Sequence, residues 1–360
     1  MPTKDLHKDA PFDSATLSKL EIFENYLTEW IPTFVYNKNI NICDFFSGPG
    51  EDINHVSGSP LRIINVIQKF EDLIKKQQLQ ITLFLNDKTK WKYEALKKNV
   101  SKKLLLLGDL QNHITVKYFN CKFQNLFPLI KDDLISGPNL FFFDQNGVRH
   151  ITIDFIQELE SFNQTDYLFF LSSAYFKRFS YKSIFPDLNI KKKEIKSKDI
   201  HREIVERFRE LLPANSKTRL YYFSIKKGRN IHGLVFGSTH LLAVQKFLTV
   251  AWNKNKVNGE ANFDIDSDLD TQMDLFSGEA KTTKLQQFEN DLKEFIKNKK
   301  VFTNQDIFNY TLDRAFIPKH ANAVLKKLKK SNQLENFSHA KIGYKQIYKE
   351  KDIITFRYKK

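Results

Sequence analysis

Between residues 39 and 252, short apolar runs alternate with amphipathic segments, and this alternation leaves few folds open. The runs are NINICDFF (39–46), LQITLFLND (79–87), HITVKYFNC (113–121), NLFFFD (139–144), TDYLFFLSS (165–173), RLYYFSI (219–225) and HGLVFGST (232–239). Runs this short and this apolar read as strands covered on both faces. The segments 58–76, 89–100, 151–161 and 240–252 read as helices. In the first of these, Ile63, Ile64, Ile67, Phe70 and Ile74 form one face, with Ser59 as the expected N-cap and Pro60 at the first helical position. A further helix over 14–31 carries Leu17, Leu20, Phe23, Tyr26, Leu27 and Trp30 at helical spacing, with Ser14 as its expected cap. Strands alternating with helices predict a mostly parallel, Rossmann-like α/β sheet. Such sheets bind ligands at the carboxyl ends of their strands. Asp44, Asp87 and Asp144 all stand at such ends.

Composition narrows the function classes. Two cysteines, Cys43 and Cys121, make neither a disulfide framework nor a cysteine-rich zinc site, and their scarcity suits a reducing cytoplasm. No apolar stretch approaches the roughly 20 residues that span a bilayer, so no membrane partner is expected. The nine histidines show no metal-ligand spacing, so no metal is expected. The formal charge of +15 is uneven: residues 281–360 hold 19 Lys/Arg against 8 Asp/Glu. The preceding segment, 259–279, has 7 acidic residues and no Lys or Arg. This shift predicts an α/β domain over 1–258, an acidic linker or ordered loop over 259–280, and a basic domain over 281–360.

The loop after the first strand, DFFSGPG, holds Asp44, Gly48 and Gly50. A nicotinamide fingerprint wants a third glycine where Ile53 stands, and a phosphate-binding P-loop wants Gly-Lys-Ser/Thr, which is absent. An acidic residue beside a short glycine loop suits S-adenosylmethionine better. Asp44 would pair with the methionine ammonium, with Gly48 and Gly50 letting the backbone approach, and Asn86 or Asp87 would accept from the ribose hydroxyls. A Rossmann-like sheet without a site is the alternative.

Several segments in order also resemble a known family. SATLSKLEIFENYLTEW, DFFSGPG, GSPLR, FFFDQNG and HGLVFGSTHLLAVQKFLTVAW…VNGEANFDID look like the three-Cys-motif partner proteins, over about residues 12–276. The resemblance implies a class I methyltransferase-type domain with an S-adenosylmethionine loop. It also implies a prokaryotic source, a mobile-element or phage-defence setting, and a companion protein with a three-cysteine motif. One departure matters. The turn after the fourth strand is commonly Asp-Pro-Phe-Gly in this family, and in this chain it is Asp144-Gln145-Asn146-Gly147. Enzymes that methylate base amines hold a flipped base with a proline- and aromatic-bearing turn. The departure counts against a base-amine acceptor and leaves Asp144 as the candidate catalytic residue.

The basic region reads as helices over 283–298, 303–316 and 318–335, then strands over 341–348 and 353–358, the order of a winged helix-turn-helix. Its third helix presents Lys319, His320, Asn322, Lys326, Lys327, Lys329 and Lys330, with Ala323, Val324, Leu325 and Leu328 expected inward. Lys319, Lys326, Lys327, Lys330 and the wing residue Lys345 are the expected nucleic-acid contacts. These readings converge on a methyltransferase-like protein recruited to nucleic acid. A catalytically silent adaptor or sensor, binding nucleic acid or protein, is the second reading. A nuclease using the carboxylates of GEANFDID (259–266) is a third.

Overall fold

The computed structural model describes residues 10–144, 151–162, 164–172, 199–228, 230–269, 282–335 and 342–359. The turn Gln145-Asn146-Gly147, Arg149, His150 and the cluster 191–198 lie outside them. The chain divides into two compact units, 1–240 and 241–360.

The first unit is built on seven strands: β1 (Asn39–Asp44), β2 (Gln80–Asn86), β3 (Ile114–Phe119), β4 (Asn139–Phe143), β5 (Thr165–Ser172), β6 (Arg219–Lys227) and β7 (Asn230–Ser238). They lie in the order β3-β2-β1-β4-β5-β7-β6. The strands β1 to β5 are parallel, while β7 runs antiparallel between β5 and β6. This is the expected Rossmann-like, class I methyltransferase-type sheet. Every predicted strand of the unit is present. The order reverses between β1 and β4, which places the ligand crevice of an open α/β sheet above those two strands.

Helices flank the sheet: α1 (Ser14–Trp30), α2 (Ser59–Lys69), α3 (Glu71–Gln77), α4 (Lys90–Leu105), α5 (Phe123–Leu134), α6 (Ile153–Ser161) and α7 (Ile200–Leu211). The strand pleat sorts the phenylalanines of β4. Phe142 stacks on Phe23 of α1 at 4.2 Å, while Phe141 and Phe143 join Phe45, Phe123, Phe127 and Phe155. Most of those ring pairs meet edge to face, the arrangement aromatic quadrupoles favour. On β7, Gly233 and Gly237 admit the rings of His201 and Tyr167; a Cβ at either glycine would lie 2.2 Å from a ring atom.

Local details depart from expectation. Asp13, not Ser14, caps α1, its carboxylate accepting from the N–H groups of Ala15 and Thr16 at 3.0 and 2.9 Å. The single helix expected over 58–76 breaks at Phe70 into α2 and α3. Gly58 takes the N-cap position of α2, because the Ser59 hydroxyl is turned to Asp44. Helix α7 was not predicted, although Ile200, Ile204, Val205 and Phe208 form a clear buried stripe.

The second unit begins with α8 (Leu241–Lys254) and continues through α9 (Lys284–Lys299), β8 (Val301–Thr303), α10 (Asn304–Asp313), α11 (Pro318–Lys330), β9 (Leu334–Glu335) and β10 (Thr355–Tyr358). The three short strands form an antiparallel sheet, β8-β10-β9. The expected division at 258 and 281 therefore differs from the packing, which groups α8 with the basic region. Trp252 is the reason: its indole N–H donates to the Ala315 carbonyl at 2.9 Å, and its ring meets Phe316 and His320.

The predicted strand over 341–348 is a correction. Residues 345–349 form one helical turn, closed by the Glu350 N–H donating to the Lys345 carbonyl at 2.9 Å. Ile347 is buried there, and Tyr344 stacks on Tyr348 at 5.0 Å, a pairing four residues apart that a strand would place far apart. Among the described residues no helix is long and apolar enough to cross a membrane.

Candidate functional site

Asp44 ends β1 at the reversal of strand order and is fully buried, at 0% exposure. Its carboxylate accepts from the Ser59 hydroxyl at 2.6 Å and from the Phe46 N–H at 3.2 Å. Burial pushes its pKa up to about 7, against the pull of those two hydrogen bonds; the negative charges of Asp144 and Asp87 push the same way as burial. The three carboxylates chosen from the sequence thus share one electrostatic neighbourhood.

The glycine loop is shaped by backbone conformation. Gly48 and Gly50 have φ of +63° and +95°, values that disfavour any side chain. A Cβ on Gly48 would meet nothing within 4 Å, so the loop offers bare backbone to open space. The loop is pinned at each side. The Gly58 N–H donates to the Gly50 carbonyl at 2.7 Å, the Asn99 amide donates to the Pro49 carbonyl at 2.9 Å, and the Gly48 N–H donates to Asp87 at 3.2 Å. Asp87 also accepts from the Thr89 N–H at 2.8 Å and remains partly exposed.

Asn86 has a different role from the one expected. Its amide nitrogen donates to the carbonyls of Phe45 and Cys121 at 3.0 and 3.2 Å, and its oxygen accepts from the Cys121 N–H at 3.2 Å. With 1% exposure and its amide so engaged, it clamps two loops together. Asp87 is the acidic group that stays open. Asn86→Ala should destabilise the chain by about 2–4 kcal/mol, because two loop carbonyls lose their donor; urea unfolding followed by circular dichroism measures it.

Asp144, just past β4, forms an ion pair with Lys19 of α1. Lys19 also lies over the Phe170 ring at 4.6 Å and is only 5% exposed. Sequence reading missed Lys19. Its one visible signal was a lysine four residues from both Ala15 and Phe23, on the apolar side of an amphipathic helix on which Leu17, expected inward, is exposed.

In the second unit, Lys319, Lys326 and Lys330 are exposed on α11. Spacings of seven and four residues place them on one stripe, opposite the buried Ala321, Val324, Leu325 and Leu328. Ala323, expected inward, is exposed between the lysines, and Ala321 takes the core position. Lys327 lies off the stripe and pairs with Glu289. Lys345 is exposed on the helical turn, 3.5 Å from Glu350. His320 does not reach outward with Lys319. It packs against Trp252 at 4.2 Å, and burial pushes its pKa down to about 4, with the charges of Lys319 and Lys284 adding to the effect.

The GEANFDID carboxylates hold structure together. Glu260 pairs with Lys284 at 3.0 Å, and Asp264 accepts from the N–H groups of Asp268 and Leu269, both at 2.8 Å. Gly259, at φ +62°, lies against Trp252, where a Cβ would come within 2.3 Å. Among the described residues no group of three or more His, Cys, Asp or Glu side chains is arranged to hold a metal.

Residues 262–341 match the family model described as the GMT-like wHTH domain. No curated protein matches the chain. Among solved structures, the chain is similar to the O-methyltransferase TomG from Streptomyces achromogenes, involved in tomaymycin synthesis, in complex with SAM. The identity is 11%, covering 65% of this chain and 91% of that one, with a TM-score of 0.33. It is also similar to a fibrillarin/Nop5p complex structure at 10% identity, covering 56% of this chain and 72% of that one, with a TM-score of 0.27.

Proposed function

We propose that the chain is a methyltransferase that takes S-adenosylmethionine in the β1–β4 crevice and is recruited to nucleic acid by its C-terminal winged helix. The observation that carries this reading is a glycine loop with bare backbone at Gly48, its N–H held by the Asp87 carboxylate, beside the buried Asp44 at the end of β1. Above pH 7, where Asp44 is ionised, three carboxylates with one partnering lysine leave an excess of negative charge, which suits a ligand bearing both an ammonium and a sulfonium. Asp44, buried at the end of β1, would reach the ammonium by giving up its hydrogen bond from the Ser59 hydroxyl, Gly48 and Gly50 would line the methionine part, and Asp87 would accept from the ribose. Asp144 would face the acceptor. Bound there, S-adenosylmethionine supplies an electrophilic methyl group. The match of residues 262–341 to a winged-helix model and the lysine stripe of α11 support the nucleic-acid half.

The motif order DFFSGPG, GSPLR, FFFDQNG and VNGEANFDID supports a three-Cys-motif partner-like protein, and with it a three-cysteine companion in a prokaryotic defence or mobile-element setting.

Isothermal calorimetry with S-adenosylhomocysteine tests the cofactor half. Binding is expected, and its absence in the full chain would sink it. The pH dependence has a definite sign. Ionised Asp44 is the form that pairs with an ammonium, and its pKa is raised to about 7 in the ligand-free chain. Affinity should therefore fall below pH 7 by up to about tenfold per pH unit. An affinity constant from pH 5.5 to 8.5 would remove Asp44 from the ammonium site.

A further inference from the structure

We infer that α4 is a second phosphate-contact surface, by which the α/β unit itself grips the backbone of a DNA duplex. The inference extends the nucleic-acid half of the proposed function and does not depend on the cofactor. Residues 88–103 hold seven lysines and one acidic residue, Glu94. Residues 1–240 hold 35 Lys/Arg against 27 Asp/Glu, so this segment's net of six positive charges makes up most of that unit's net of eight. Lys90, Lys97, Lys98 and Lys102 are exposed, while Leu96 and Val100 are buried. At 3.6 residues per turn the four lysines fall within about 140° of one another, so one face of the helix carries them all. From Lys90 to Lys102 that face runs about 18 Å, the span of about five phosphates along one strand.

None of the four has an ion-pair partner among the described residues. By contrast, Lys69, Lys75, Lys117 and Lys131 of the same unit pair with Glu24, Glu71, Asp133 and Glu158. Helix energetics do not account for the pattern either. Lys90 and Lys92 stand in the first turn of α4, which has no acidic residue, although the positive end of the helix dipole disfavours cations there. Lys98 and Lys102 are like charges one turn apart, which repel. The neighbouring α3 is built in the favourable sense, with Glu71 and Asp72 in its first turn and Lys75 and Lys76 in its last. A row of phosphates along the α4 face offsets each of these repulsions. On its other side the helix is seated on the glycine loop, where the Asn99 amide donates to the Pro49 carbonyl at 2.9 Å. A duplex held by α4 is therefore held to the unit that carries the crevice. Lysines meet phosphates as point charges and read no base, so this contact fixes position and carries no sequence preference.

The test compares the full chain as wild type with two quadruple variants of equal net charge. One replaces Lys90, Lys97, Lys98 and Lys102 with glutamine, which keeps helix propensity. The other replaces the paired Lys69, Lys75, Lys117 and Lys131 with glutamine. The probe is a labelled DNA duplex of about 30 base pairs and arbitrary sequence, followed by fluorescence anisotropy from about 50 to 300 mM salt. Loss of the α4 lysines should weaken binding about a hundredfold near 0.15 M salt and flatten the slope of log affinity against log salt by about 3. Loss of the paired lysines should leave affinity within about threefold, because charges beyond a Debye length of about 8 Å are screened. Equal losses in the two variants, or an unaltered slope in the first, overturn the inference. Amine-specific labelling of the wild type, read by mass spectrometry, keeps the test decisive should the first variant fail to fold. The duplex should protect Lys90, Lys97, Lys98 and Lys102 by about fivefold or more; labelling of α4 unchanged by the duplex overturns the inference. A loss confined to a variant of Lys319, Lys326 and Lys330 removes the inference and leaves the winged-helix reading standing. A wild type that binds no duplex overturns both.

Discussion

The full chain with Lys319, Lys326 and Lys330 all replaced by glutamine should bind a duplex about a hundredfold more weakly near 0.15 M salt than the wild type does. Each phosphate contact contributes about 0.9 to the slope of log affinity against log salt, so losing three should flatten that slope by about 2.7. The three lysines are singled out because they share one exposed stripe of α11. Lys327→Gln should change the slope far less, since Glu289 already partners that lysine. Fluorescence anisotropy with a labelled duplex between 50 and 300 mM salt measures both. A triple variant with an unaltered slope would place the contact elsewhere in the chain. His320 should contribute little, because it is packed against Trp252 and is held neutral by burial at physiological pH.

Asp44→Asn should stabilise the ligand-free chain while abolishing binding of S-adenosylmethionine. The folded pKa of Asp44, about 7, lies above the ordinary carboxylate value of 3.8. The folded state therefore binds the proton more tightly than the unfolded chain does. That preference costs nothing below pH 3.8, where both states are protonated. It grows as pH rises from 4 to 7, and above pH 7 it reaches on the order of 4 kcal/mol of destabilisation. Asparagine carries no charge and can still accept from the Ser59 hydroxyl. The gain should be near zero at pH 4 and about 2–4 kcal/mol at pH 8, read from urea unfolding at the two pH values. Equal gains at both pH values would show that burial of the charge is not the cause. Carboxylates buried at such a cost cluster at functional sites, which is why Asp44 is the residue proposed for the ammonium.

Much of the architecture was legible because strand and helix periods are local. The seven apolar runs became seven strands, and the phenylalanines of β4 sorted themselves to opposite faces as the pleat requires. The exceptions were decided by contacts across the chain. Ser59 left its capping role because Asp44, fifteen residues earlier, took its hydroxyl. Residues 345–349 became a helical turn because Ile347 and the Tyr344–Tyr348 stack pack at helical spacing. Asn86 passed as a ligand in sequence because it ends a strand, whereas its partners, Phe45 and Cys121, come from two other loops.

The sequence by itself determined the alternation of strands and helices, the glycine loop, the three strand-end carboxylates and the basic end of the chain. All of these follow from residue type and short-range spacing. Only the tertiary structure decided which groups meet. It set a buried lysine of α1 against Asp144, sealed Asp44 from water, used up the Asn86 amide, and joined Trp252 to the basic unit. Each of these depends on burial and on partners far apart along the chain. Charge and hydrogen-bonding capacity acquire their strength only where the packed fold removes water from around them.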